Sequence, residues 1–303
     1  MSYFVVKQPL TEKSGEKWHE TISGRQSTVH GSQQACYILN SVVPTSMSLL
    51  DTLLKRNLLA VQEFTYLVIN SIRNAFSPPR YYRDALIQMD AIGFGSLAIV
   101  LPTGFFTGGV VALQTYRTLA RFGEVGLLGQ AVALAVVLEL GPVLTAVMVA
   151  GRNSSGIASE IGSMLVSEQI EALRALGTDP LRKLVTPRLY ATLITLPLLT
   201  ILSDFTAMIG GWLISSTVAK LTTDEYWTSV YQSLTFRDVA QGLVKPLFFA
   251  IVIALVGCYF GLTTTGGTEG VGRSTTRAVV AAGVLILILD FFITRLLIGI
   301  GFA

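Results

Sequence analysis

Charged residues are scarce in this chain. They make up only 14% of its 303 residues, whereas hydrophobic residues make up 51%, and the mean hydropathy is +0.60. Soluble domains carry about 25% charged residues, so this composition predicts a polytopic membrane protein. The formal net charge of +3 is small and offers no case for binding nucleic acid.

Histidine and cysteine are almost absent. The two histidines, His19 and His30, both lie in the polar N-terminal stretch, which excludes histidine-based catalysis or metal binding within a membrane. Cys36 and Cys258 are far apart in unlike surroundings, so neither a disulfide framework nor a metal pattern is indicated. The sequence also lacks a GxxxxGK[ST] phosphate loop. Any ATP-driven activity therefore requires a separate ATPase subunit.

Long apolar runs dominate the rest of the chain. Each is close to the roughly 20 residues that cross a bilayer, and they cover about 91–115, 126–150, 188–218, 243–264 and 278–301. We therefore expect an all-α membrane protein with five transmembrane helices in residues 91–303. Residues 1–45 are polar and predict a flexible extension, and residues 46–90 predict interfacial and elbow helices.

The basic residues predict an orientation. With the N-terminus in the cytoplasm, the cytoplasmic parts hold sixteen Lys and Arg residues and the outer parts hold five. The positive-inside rule favours this arrangement. Five spans then place the C-terminus outside. A polar, aromatic segment at about 222–241 would lie on the outer side and suits short helices there.

The segment at 156–178 predicts an amphipathic helix of about five turns. Gly177 and Asp179-Pro180 are its stop signals. It could lie flat on the membrane surface or dock a protein. Its acidic face disfavours anionic lipid and favours a basic groove on a partner. The polar face consists of Glu160, Ser163, Ser167, Glu171 and Arg174, with Glu168 nearby, and the apolar face consists of Ile161, Leu165, Ala172 and Leu176.

Several ionisable residues lie within the predicted spans, where they are costly. Glu139, about midway along the second span, is either a helix-packing acid or a polar spot in a lipid-binding cavity. Asp204 and Asp290 predict structural or dimer-interface contacts, with Arg295 as a possible basic partner for one of them. Arg152 predicts a topology anchor.

Five motifs resemble the MlaE (YrbE) permease family of ABC transporters, and the resemblance covers about residues 50–303. They are Glu139-Leu-Gly-Pro142, Ala150-Gly-Arg152, Ser159-Glu-Ile-Gly162, Glu168-Gln-Ile-Glu171, and the run from Asp179 to Arg188.

The resemblance implies a homodimeric permease subunit in the bacterial inner membrane. Such a subunit binds a cytoplasmic ATPase through a coupling helix, here 156–178, with Glu160, Glu168, Glu171 and Arg174 as the coupling residues. It also joins a periplasmic MCE-domain protein, which would meet the 222–241 segment, and a STAS-type accessory subunit. The complex moves phospholipids or related lipids between the inner and outer membranes. The resemblance implies no cofactor on this chain, since ATP and Mg would bind the partner ATPase.

The resemblance also implies a lipid-binding site formed by Leu113, Tyr116, Glu139 and Lys245. Tyr116 could equally be an interfacial anchor, and Lys245 could be a snorkelling anchor. Family members often have Arg directly before the acid, whereas this chain has Leu138. Other functions that the sequence leaves open are transport of a sterol or fatty acid, a membrane-embedded lipid-modifying enzyme, and a secondary transporter.

Overall fold

The computed structural model describes residues 58–59, 61–71, 73–74 and 81–299. These residues contain helices and no strand. The predicted extension over 1–45, and residues 46–57 of the predicted interfacial region, lie outside the described part of the chain.

Within the described residues, five helices are long and apolar enough to cross a membrane, which confirms the predicted all-α fold with five spans. Several of them extend beyond the apolar runs that the sequence shows. We label them α2 (Tyr82–Phe122), α3 (Val125–Val166), α5 (Leu181–Thr217), α7 (Phe236–Leu262) and α8 (Gly267–Gly299).

A helix at 61–71, here called α1, precedes the spans and packs against them. Leu67 is 7% exposed and joins an apolar cluster with Ile161 of α3 and Leu255 of α7. The ring of Phe64 makes an edge-to-face contact with Tyr259, with 5.5 Å between the ring centroids. α1 is therefore held by the span bundle on one side.

Glycines let α2 and α5 approach at backbone distance. A Cβ atom on Gly104 would lie 2.6 Å from the carbonyl oxygen of Ser203, and one on Gly108 would collide with the backbone of Ala207. Gly210 meets the backbone of Phe105 in the same way. The small-residue pattern of α2 thus serves close helix packing, as such patterns do in membranes.

The second span, α3, is one helix of 42 residues. It contains π-helical turns at Val136–Leu140 and Ala150–Ser154, and such turns often mark functional positions. Its second half packs directly on α7. A Cβ atom on Gly257 would lie 3.0 Å from the carbonyl oxygen of Ser154, and one on Gly261 would lie 2.7 Å from Cβ of Ile161.

The prediction of one helix over 156–178 is wrong. α3 continues to Val166, and a separate helix, α4, spans Gln169–Ala175. Between them Glu168 adopts a left-handed conformation, with φ of 58°, which reorients the chain. Because of this turn, Ile170 is the fully buried residue of α4, whereas Ala172 and Leu176 of the predicted apolar face are exposed.

The opposite end of the bundle carries α6 (Thr223–Ser233), which is followed by the start of α7 at Phe236. Both helices begin with a capping box, formed by Thr222 with Glu225 and by Thr235 with Asp238. These helix starts define the predicted 222–241 segment as α6 plus the first turns of α7. We refer below to the α4 end and the α6 end of the bundle.

Candidate functional site

Lys245 on α7 is fully buried, at 0% exposure, inside the span bundle. Its Nζ atom donates to Oε2 of Glu139 at 2.6 Å and to the carbonyl oxygen of Leu138 at 2.8 Å. Oδ1 of Asp290 on α8 lies 3.1 Å from the same nitrogen as an ion-pair partner. One ammonium group therefore connects α3, α7 and α8.

Glu139 is the member of this group that reaches the surface of the chain. Its side chain is 42% exposed, whereas that of Asp290 is 19% exposed. Thr294, one turn from Asp290 on α8, lies 3.3 Å from the other carboxylate oxygen of Glu139 and donates its hydroxyl proton. We call Glu139, Lys245, Asp290 and Thr294 the Lys245 cluster.

The polar groups of the cluster compensate for the burial of the Lys245 ammonium group inside the span bundle. Burying an ammonium costs several kcal/mol unless it is paired and hydrogen-bonded, and Lys245 has both kinds of partner. The π-helical turn of α3 contains both Leu138 and Glu139, so the turn supplies a carbonyl and a carboxylate to the same nitrogen.

This geometry changes what the sequence suggested for Lys245, Asp290 and Leu138. Lys245 does not snorkel to a membrane surface, because its side chain is completely buried. The basic partner of Asp290 is Lys245 rather than Arg295. The cation that Leu138 fails to supply beside Glu139 comes instead from α7.

Sequence reasoning missed Asp290 and Thr294 as members of the site. The sequence predicts a structural or dimer-interface contact for Asp290, and Thr294 carries no signal of its own. Their i,i+4 spacing places them on one face of α8. That spacing, together with an unpaired lysine on another span, was the available signal.

The remaining predicted lipid-site residues lie on α2. Tyr116 is half-buried and packs on an apolar cluster that includes Leu128 and Val132 of α3. Leu113 is 36% exposed. Neither residue is among the contacts that hold Lys245, so their role in a lipid site stays a prediction.

Asp204 on α5 is an intramembrane acid of a different kind. Its Oδ1 atom is buried and has no hydrogen-bond partner among the described residues. Gly141 lies directly against this carboxyl group, and a side chain there would collide with it. Asp204 therefore fills a close contact between α3 and α5.

A second buried cation, Arg188, lies near the α4 end. Its Nη2 atom is 2.8 Å from Oε1 of Glu160 on α3, and its Nη1 atom donates to the carbonyl oxygen of Leu184 at 2.7 Å. The Arg188 side chain is 4% exposed and that of Glu160 is 53% exposed. Glu160, expected to face a partner, is thus held within the chain and ties α3 to α5.

The start of α5 is also tied to the start of α2. Lys183 pairs with Asp84 and lies 4.4 Å from the ring centroid of Tyr81. Arg152 adds a contact between α3 and α2, since its Nη1 atom donates to the carbonyl oxygen of Ala91 at 3.1 Å. The α4 end is therefore a network in which α2, α3 and α5 share polar contacts.

The outward surface at this end combines acids with a large apolar side chain. Leu176 is 80% exposed and Val166 is 40% exposed. We call this surface the α4 face. Its exposed members are Val166, Glu168, Glu171, Arg174 and Leu176.

Comparison with known proteins gives the family. The model of the family described as Permease MlaE matches residues 85–296. The chain belongs to the MlaE permease family. This match includes all of α3, α5, α6 and α7, together with all four residues of the Lys245 cluster. The chain is therefore a multi-pass ABC transporter permease.

Individual relatives agree with this assignment. A probable ABC transporter permease protein of Rickettsia typhi is 42% identical over 77% of this chain and 89% of its own length. A probable ABC transporter permease protein of Synechocystis is 44% identical over 71% of this chain and 82% of its own. The intermembrane phospholipid transport system permease protein MlaE of Haemophilus influenzae is 37% identical over the same shares, 71% and 82%.

Proposed function

We propose that this permease is the transmembrane subunit of a transporter that moves phospholipids or related lipids between the inner and outer membranes. A separate ATPase, which binds ATP and Mg, supplies the energy. The observation that carries the proposal is the continuity of α3: the same helix holds Glu139 of the Lys245 cluster and ends at the α4 face. The phospholipid transport named for the Haemophilus relative supports the substrate class.

The α4 face is the proposed docking surface for the ATPase. Leu176 offers an apolar contact of the kind that anchors interfaces, and Glu168, Glu171 and Arg174 surround it with charge. Glu160 has a different role in this scheme. Because it pairs with Arg188, it passes movement of the docking end to α5 rather than contacting the ATPase.

The lipid is proposed to lie beside the exposed side of Glu139, with Leu113 and Tyr116 as apolar wall and Lys245 as the cation that fixes the carboxylate. A partly exposed ionic cluster favours an amphiphile with a polar headgroup over a sterol, which has little to offer a carboxylate. The functional unit is proposed to be a homodimer in the inner membrane, with the N-terminus and the α4 end in the cytoplasm.

The α6 end would then face the periplasm and an MCE-domain protein. Tyr226 is not available to such a partner, since it is 1% exposed and its hydroxyl group donates to the carbonyl oxygen of Met208 at 3.1 Å. Tyr231 and Phe236 are 85% and 89% exposed and form the aromatic surface there. A STAS-type accessory subunit is proposed to join on the ATPase side.

Replacing Leu176 tests the docking surface. Leu176→Asp places a carboxylate among the acids of the α4 face, so we expect the tagged permease to lose its co-purifying ATPase and its ATP-dependent lipid transfer in proteoliposomes. The matched control is Leu127→Asp at the other end of α3, where Leu127 is 46% exposed. This control should keep the ATPase bound. The proposal fails if the unaltered permease purifies alone and its lipid transfer is indifferent to ATP.

A further inference from the structure

The Lys245 cluster carries an unequal number of charges. It contains one ammonium group and two carboxylates, so its formal charge with all three groups ionised is negative by one. Both carboxylates approach the same nitrogen within 3.1 Å. A ligand that reaches this cluster meets a surplus of negative charge.

The cation cannot serve that ligand. Lys245 is 0% exposed, and an ammonium group has three donors. Two of them point to Glu139 and to the carbonyl oxygen of Leu138, and Asp290 lies against the same nitrogen. A phosphate group could reach Lys245 only by displacing a carboxylate from a buried ion pair, which is strongly unfavourable.

The accessible polar atoms of the cluster are acceptors. Glu139 is 42% exposed, and an ionised carboxylate accepts hydrogen bonds but donates none. Each of its oxygens has more than one lone-pair site, so the contacts to Lys245 and Thr294 leave acceptor capacity free. A headgroup beside Glu139 is therefore bound best through its own donors, and best of all through a positively charged donor.

Resting on the proposed function, we infer that the Lys245 cluster selects lipids whose headgroup carries an ammonium group over lipids whose headgroup is purely anionic, and that Asp290 is the residue that sets this preference. Without Asp290, Lys245 and Glu139 would cancel. With it, the cluster stays negative on the side that faces the ligand, and the preference does not depend on any contact between Asp290 and the lipid.

The experiment measures which lipids the full chain retains in detergent. The protein is incubated with an equimolar mixture of phosphatidylethanolamine and phosphatidylglycerol with identical acyl chains, and the bound lipids are quantified by mass spectrometry. We expect phosphatidylethanolamine to be enriched about threefold or more, which is the factor that a partly screened ion pair supplies. Equal retention, or enrichment of phosphatidylglycerol, overturns the inference.

Substitutions separate charge from shape. Asp290→Asn keeps the size of the side chain and makes the cluster neutral, so the enrichment should fall to about one. Combining it with Glu139→Gln leaves the cluster positive and should favour phosphatidylglycerol. The control is Asp224→Asn on α6, which removes an exposed carboxylate that is not among the contacts of the cluster and should leave the ratio unchanged.

The outcomes also separate this inference from the proposed function. If the unaltered protein retains both lipids without preference, or if Asp290→Asn keeps the full enrichment while its thermal unfolding stays cooperative, the charge selection is wrong and lipid transport stands. If the unaltered protein retains neither lipid, both proposals fail. If Asp290→Asn does not fold, Asp290→Ala gives the same reading, since it too removes the second carboxylate and leaves Glu139 in place.

Discussion

Two buried cations, Lys245 and Arg188, pair with carboxylates of the same helix, and their differences are informative. Glu139 and Glu160 both belong to α3 and are 42% and 53% exposed, while their cations on α7 and α5 are 0% and 4% exposed. Arg188 has one carboxylate and one carbonyl as partners, so its charge is balanced. Lys245 has a second carboxylate. The balanced pair suits a link between helices, and the unbalanced one suits a ligand site.

The largest effect should come from removing the cation of the unbalanced cluster. Lys245→Met leaves Glu139 and Asp290 as neighbouring carboxylates without a counter-charge, which should lower the free energy of unfolding by about 3–5 kcal/mol. Thermal unfolding in detergent measures the loss. Adding Glu139→Gln and Asp290→Asn to this variant removes the repulsion and should restore much of the stability. An unchanged unfolding temperature for Lys245→Met would show that the cluster is not a structural unit.

A smaller effect is expected at the balanced pair. Glu160→Gln leaves Arg188 buried with only a neutral partner and the Leu184 carbonyl, at a cost of about 1–2 kcal/mol, because Glu160 is half-exposed and its pairing is screened. Lipid retention should persist while stimulation of the partner ATPase by lipid falls. Glu171→Gln, an exposed acid of α4, is the control for stability. Equal stability of the Glu160 and Glu171 variants would argue against the link.

The smallest effect should appear at a carboxylate in full contact with water. Glu225 accepts a hydrogen bond from the backbone of Thr222 at 3.0 Å, and this capping contact holds the pKa of Glu225 below its ordinary value of 4.5. A carboxyl group with a lowered pKa in the folded state stabilises it above the unfolded-state pKa, and that contribution is lost as the pH falls through the folded-state pKa.

The unfolding temperature of Glu225→Gln should therefore lie slightly below that of the unaltered protein at pH 6, and the gap should close below pH 4.5. A gap that stays constant between pH 6 and pH 3 would mean that the carboxylate charge of Glu225 contributes nothing. Because the Glu225 side chain is exposed, its change in unfolding temperature is the reference against which the larger changes at the two buried pairs are compared.

The spans could be predicted from the sequence because membrane crossing depends on composition over some 20 residues. All five apolar runs are helices, and the glycines of α2 and α7 lie at close contacts as their spacing indicates. The family could be predicted as well, since its motifs lie close together between Glu139 and Arg188. Both properties are recorded in contiguous stretches of the chain.

The pairing of charges could not be predicted, because it depends on which helices are neighbours. Glu139 and Lys245 are 106 residues apart, and Asp290 lies still further along the chain, so no local pattern connects the three. The break in the 156–178 segment was missed for another reason. Glu168 takes a left-handed conformation that non-glycine residues adopt rarely, so the helical periodicity on either side concealed it.

The length of α3 has a mechanical consequence. Its 42 residues correspond to about 63 Å, roughly twice the hydrocarbon thickness of a bilayer. The helix meets α7 at backbone distance in two places: a Cβ atom on Gly242 would lie 2.4 Å from the carbonyl oxygen of Val137, and one on Gly257 would lie 3.0 Å from that of Ser154. From Val166 to Glu139 the helix runs about 40 Å. Because one of the two contacts lies beside Glu139, a push at the α4 face would reach that carboxylate by shifting α3 and α7 together rather than by pivoting α3 alone.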